Sequence, residues 1–115
     1  MVIKRLSDRI KNDTFSSVEF EYNDSFGSPI DLTGVVVKVQ FRNGSRKGHV
    51  VKSIDTTAGI TMTDAVNGMF EIDKFTPIDF AVGTYYYDVE TTFPNGDIKT
   101  YVSGTFNIIQ DVTNG

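Results

Sequence analysis

A tyrosine-rich segment, Tyr85-Tyr86-Tyr87-Asp88-Val89-Glu90, runs into Asn95-Gly96 and returns through Tyr101-Val102-Ser103-Gly104-Thr105-Phe106. The pattern predicts a long antiparallel hairpin, because Asn-Gly favours the positive φ angles of a two-residue type I′ turn, whose twist matches that of paired strands. With that turn Pro94 pairs with Asp97, Phe93 faces Ile98, Thr91 faces Thr100, Val89 faces Val102, Tyr87 faces Gly104 and Tyr85 faces Phe106. Glu90, Asp88 and Lys99 fall on the opposite face. One turn thus sorts both strands into a buried and a wet side.

The same period of two recurs upstream. Val35, Val37, Val39 and Phe41 alternate with Lys38, Gln40 and Arg42, and Val18, Phe20 and Tyr22 alternate with Glu19 and Glu21. Each run reads as a half-buried strand. Phe15 is out of phase, which places a bulge or a strand start at Ser16-Ser17. Shorter strands are expected over 50–54, 60–63 and 69–72, punctuated by Gly59 and by Asn67-Gly68. Thr76-Pro77-Ile78-Asp79 combines a capping hydroxyl, a proline at the first helical position and an acid at the third, predicting one short helical turn near 77–81. Gly83 then bends the chain into the tyrosine strand, and 24–31 reads as an ordered loop. About seven or eight antiparallel strands, each buried on one face, point to an all-β, immunoglobulin-like antiparallel β-sandwich. The chain lacks both cysteine and tryptophan, so its nine phenylalanines and five tyrosines must supply the core.

At 115 residues the chain fits a single sandwich domain, 1–115, with 1–12 as an N-terminal arm or edge strand and 111–115 as a flexible tail. The absence of cysteine excludes disulfides, thiolate metal sites and cysteine nucleophiles. The N-terminus holds no apolar run of signal-peptide length, and nothing approaches the roughly 20 apolar residues of a membrane helix. A net charge of −4 argues against a nucleic-acid surface.

Residues able to do chemistry are scattered. His49, the single histidine, lies beside a basic turn with no serine or acid pattern around it. Ser103-Gly104 lacks the preceding glycine of a nucleophile elbow. Asp88 with Glu90 alternates onto a solvent face, and Asp73 with Asp79 lacks the spacing of a calcium loop. The expectation is therefore a protein that is not an enzyme and uses no cofactor, metal or small-molecule ligand. Exposed aromatics are more informative. Tyr86 and Tyr101 should point outward from the hairpin, and tyrosine is enriched in interface hot spots. Together with Arg42, Arg46 and Lys47 of the basic turn, they form the candidate interface, the cations suiting an acidic partner.

The order of motifs carries a further signal. Lys11-Asn12-Asp13-Thr14-Phe15, Gly27-Ser28-Pro29-Ile30-Asp31-Leu32-Thr33-Gly34, Val37 to Arg42, Gly59-Ile60-Thr61-Met62, Asn67-Gly68-Met69-Phe70, Gly83 to Glu90, Asn95-Gly96 and Ser103-Gly104-Thr105-Phe106 follow one another. The series, from about Lys11 to Val112, resembles an immunoglobulin-like domain of tailed-bacteriophage virion proteins and is similar to the N-terminal domain of baseplate upper proteins. That resemblance implies a sandwich joining one virion component to another, without enzymatic activity. Its partners would be other phage virion proteins and further copies of itself, in a particle assembled in the host cytoplasm. Larger relatives continue into helical or receptor-binding segments, so an adaptor or decoration role in the tail or baseplate is expected. Two other roles fit the residues: a host-surface glycan-binding module using the exposed tyrosines, and a small inhibitor of a host enzyme using the loops 23–34 or 43–48.

Overall fold

Alternating side chains become facing sheets once their strands pair. The computed structural model describes residues 8–10, 14–44, 48–74 and 81–110. Among them are eight strands: β1 (Arg9–Ile10), β2 (Val18–Glu21), β3 (Val36–Asn43), β4 (Val50–Asp55), β5 (Ile60–Asp64), β6 (Met69–Ile72), β7 (Gly83–Thr92) and β8 (Ile98–Ile109). One sheet has the order β1-β8-β7-β3-β4 and the other β2-β6-β5. This is the connectivity of an immunoglobulin-like sandwich, with β4 added beside the central three strands of the larger sheet. All pairs are antiparallel except one. The short β1 runs parallel to β8, with Arg9 opposite Ile108 and Ile10 opposite Ile109, at the edge of the otherwise antiparallel sandwich that the alternation predicts. The helical turn expected near 77–81 falls on a segment in which 75–80 lie outside the described residues. A 3-10 turn that the sequence reading did not anticipate occupies Ala65–Asn67, where Gly68 takes a φ of 73° and donates its N–H to the Ala65 carbonyl.

The core is assembled from the faces that the alternation selects. Val37, Val39 and Phe41 of β3, Tyr85, Tyr87 and Val89 of β7, and Phe106 and Ile108 of β8 are buried on the larger sheet. Val18 and Phe20 of β2, Ile60 of β5, and Phe70 and Ile72 of β6 face them from the smaller sheet. Phe15, the out-of-phase residue, is wholly buried and presents itself at a steep angle to Phe41 and Phe106, with centroids at 6.1 and 6.4 Å. Phe20 and Phe70 make a tighter edge contact at 5.2 Å. Such edge-to-face geometry suits the ring quadrupole and adds to the roughly 1.5–3 kcal/mol that each large apolar burial contributes. These rings do the joining that a disulfide and tryptophan perform in antibody domains.

The hairpin of β7 and β8 follows the expected register over its inner half. Val89 pairs with Val102, Tyr87 with Gly104 and Tyr85 with Phe106. Beyond Val89 the register slips by one, giving Glu90 with Thr100, Thr91 with Lys99 and Thr92 with Ile98. The cause lies at the tip. Gly96 donates to the Phe93 carbonyl and Phe93 donates to the Asp97 carbonyl, both at 2.8 Å, so Pro94 and Asn95 occupy the centre of the turn and Gly96, at φ 93°, follows it. Pro94 has its φ preset for the first central position of an ordinary turn, and that preference overrides the type I′ signal of Asn-Gly. A bulge at the Val89/Glu90 step then restores the inner register. Two expected placements are reversed as a result. Ile98 is 64% exposed rather than facing Phe93, and the Lys99 ammonium instead lies 5.8 Å from the centre of the Phe93 ring.

Candidate functional site

Two surfaces compete for a functional role: the outer face of the larger sheet and one end of the sandwich. On the outer face, cross-strand neighbours line up in rows. Asp55, Lys38 and Glu90 form one row, Gln40 and Asp88 another, and Arg42, Tyr86 and Thr105 a third. Tyr86 is half-buried between its two neighbouring strands, as an outward residue of a central strand should be. Arg42 is less available than the sequence suggests. Its guanidinium donates to the Gly48 carbonyl at 3.2 Å and to Gln40 Oε1 at 2.8 Å, holding the base of the β3–β4 turn. The structure thus brings Tyr86 and Arg42 together as register partners. Arg46, Lys47 and the side chain of Tyr101 lie outside the described residues.

The end of the sandwich is built by three connections. Between β2 and β3, Asp24 organises a tight tip: its Oδ1 accepts from the N–H groups of Phe26 and Ser28 at 2.8 and 3.0 Å, while Asn23 bridges Pro29. The β5–β6 turn is bonded to this loop through Leu32 N–H to the Ala65 carbonyl and Tyr22 N–H to the Gly68 carbonyl, each at 2.8 Å. The β7–β8 tip closes against it at Gly34, where an added Cβ would lie 3.3 Å from Pro94. Two of the three loops are therefore joined by backbone hydrogen bonds, and the third packs beside them at Gly34 and Pro94.

Phe26 stands at its apex and is 92% exposed. Leaving a phenylalanine in water forgoes roughly 1.5–3 kcal/mol of burial, and the Asp24 bonds hold it there. Sequence alone does not single out Phe26, because an aromatic in a loop looks like any other core candidate. The available signal was its setting, Asp24-Ser25-Phe26-Gly27, in which an aspartate able to bond backbone two residues on is followed by a glycine.

The carboxylates serve local structure. Asp31 accepts from the Thr33 hydroxyl at 2.6 Å and its N–H at 2.8 Å, and these bonds, the hydroxyl's first, hold its pKa below the ordinary 3.8. Asp55 is lowered likewise by the Thr57 hydroxyl and N–H. Among the described residues, no three His, Cys, Asp or Glu side chains come together in a group able to hold a metal ion. Nor does a helix long and apolar enough to cross a membrane occur among them.

No protein-family model and no curated protein matches this chain. Among solved structures it is similar to CopC from Methylosinus trichosporium OB3b, with a TM-score of 0.51 and 14% identity, covering 90% of this chain and 84% of that one. Murine CRIg aligns over 96% of this chain and 97% of its own, at a TM-score of 0.42 and 15% identity. The fold is an immunoglobulin-like sandwich. At such identity the likeness to CopC is one of architecture, and the surfaces that distinguish this sandwich are its own: the polar rows around Tyr86 and the loop end crowned by Phe26.

Proposed function

We propose that this chain is a non-enzymatic structural protein of a tailed-bacteriophage particle, an adaptor or decoration module of the tail or baseplate that acts by protein–protein docking in several symmetric copies. The observation that carries this reading is the ordered series of motifs from Lys11 to Val112, similar to that of phage immunoglobulin-like domains. Physical reasons support the match where its residues are described. Gly34, at φ 75°, occupies a turn that a side chain would strain, and the Tyr87 ring covers Gly104 so closely that an added Cβ would lie 2.7 Å from its hydroxyl. A polar sheet face and an exposed aromatic on a hydrogen-bonded loop also suit a contact module. Peptide quantification on gradient-purified virions tests the proposal. The chain should be present in a fixed ratio to a major tail protein, and its absence from purified particles rejects the role.

One observation favours a second reading. An exposed Phe26 on the 23–34 loop is also what a small inhibitor of a host enzyme would use to fill a cleft. Here the expected result is inhibition by the isolated chain that disappears on replacement of 25–27 while the thermal transition stays unchanged.

A further inference from the structure

Exposed apolar side chains are unevenly placed on this molecule. Of the six large exposed hydrophobics among the described residues, Phe26, Val66, Val36 and Ile98 belong to the end where the β2–β3, β5–β6 and β7–β8 connections meet, and only Val82 and Ile109 lie at the other end. Val36 and Ile98 are joined through Thr92, which pairs with both. Phe26 and Val66 rise from loops whose backbones are bonded to one another. An apolar group held out by such bonds loses little conformational freedom on docking, the cost that usually weakens loop contacts.

The same end is predominantly acidic, with Lys99, whose ammonium lies 5.8 Å from the centre of the Phe93 ring, as the cation at its margin. Residues 22–35, 64–68 and 93–97 contain Asp24, Asp31, Asp64 and Asp97, and no lysine or arginine. The hydrogen bonds these carboxylates accept come from neutral donors: backbone N–H groups for Asp24, the Thr33 groups for Asp31, and the side-chain amides of Asn67 and Asn95 for Asp64 and Asp97. Their charge is left to act outward, where it repels an anionic membrane or a nucleic acid.

We infer that this loop end is the docking end, and that it fits a different protein presenting an apolar socket for Phe26 rimmed by lysine and arginine. The inference rests on the docking role proposed above and adds which surface docks and what chemistry it meets. Aromatic anchors filling pockets dominate interface energetics, while the charged rim sets encounter rate and partner choice. Tyr86, on the outer sheet face, then lies outside the contact.

Photocross-linking tests this directly. A benzophenone amino acid replaces Phe26, or Tyr86 in a parallel sample, in the full chain made in the cells that naturally produce it, and the cross-linked peptides are sequenced. Cross-links from position 26 should fall on one segment of another protein whose apolar residues are flanked by lysine or arginine. Their yield should drop about tenfold between roughly 0.1 and 0.5 M salt, and severalfold in an Asp64→Asn/Asp97→Asn variant. The inference is overturned by cross-links from position 86 but not 26, by none from 26, by a target without basic flanks, by a second copy of this chain as the target, or by a yield indifferent to salt. Whether the target is a virion component is scored separately. A basic-rimmed socket on a non-virion protein would reject the phage role and leave the docking end standing.

Discussion

The hydroxyl oxygens of Tyr22 and Thr91 lie 3.0 Å apart, joining the segment that leaves the smaller sheet to the central strand of the larger one. Thr91 is fully buried and gives its single proton to the Lys99 carbonyl at 3.1 Å, so the Tyr22 hydroxyl is the donor in this pair. A polar contact thereby crosses the core.

Tyr22→Phe should cost about 1 kcal/mol, because Thr91 keeps its bond to Lys99. Thr91→Val should cost about 1–3 kcal/mol, since it strips partners from both the phenol and a carbonyl. The double variant should lose less than the sum of the two. Urea denaturation of the four proteins reads the coupling, and strict additivity would show that the pair contributes nothing.

Two glycines should rank by what an added methyl meets. At Gly104 the obstacle is the Tyr87 ring, with Cε1 and Cζ both at 2.9 Å, so Gly104→Ala should cost about 1–3 kcal/mol and be relieved in part by Tyr87→Leu. At Gly68 the obstacles are the Tyr22 and Ile30 carbonyl oxygens at 2.5 and 2.8 Å, on a residue with φ 73°, so Gly68→Ala should cost on the order of 3 kcal/mol or more. Backbone cannot step aside as a ring can. Equal melting temperatures for the two variants would contradict this ranking.

Acid should weaken the fold through Asp31 and Asp55. Both carboxyls titrate below their ordinary 3.8 in the folded chain, chiefly because the Thr33 and Thr57 hydroxyls donate to the ionised form. A depressed folded value means that the stabilisation is complete above the unfolded pKa and is lost as pH falls through the folded one. The loss should therefore begin below about pH 4. Thr33→Val and Thr57→Val should each raise the pKa of their partner, as carboxyl resonances followed by NMR would show.

Phe26→Ser should leave the denaturation midpoint within about 0.5 kcal/mol of the parent, because the ring buries nothing in the folded chain. Asp24→Ala should cost about 1 kcal/mol by releasing two backbone donors. A large destabilisation by Phe26→Ser would mean that the ring packs into the fold and is unavailable to a partner.

Much of the architecture was legible in side-chain alternation, which is why Val37, Val39 and Phe41, like Val18, Phe20 and Tyr22, face inward as expected. Register was legible where an apolar pair or a ring over a glycine pins it, as at Tyr87 and Gly104. It is not legible at the tip, where the fixed φ of Pro94 selects a different turn from the one Asn95-Gly96 favours and shifts Lys99 to the side of Phe93. The parallel pairing of β1 was not readable, since two residues carry no period. The contact surface was the least legible part. Tyr86 could be assigned outward from the parity of its strand, whereas Phe26 owes its exposure to the Asp24 bonds and to a loop held by backbone bonds to the distant β5–β6 turn.

Whether the proposed virion role holds is decided most directly by cryo-electron microscopy of particles purified from the cells that produce this chain. Immunoglobulin-like density should appear in symmetric copies, with the Phe26 end seated in a basic-rimmed pocket of a neighbouring protein. Particles without such density, or with the Phe26 end open to solvent and another face in contact, would contradict it.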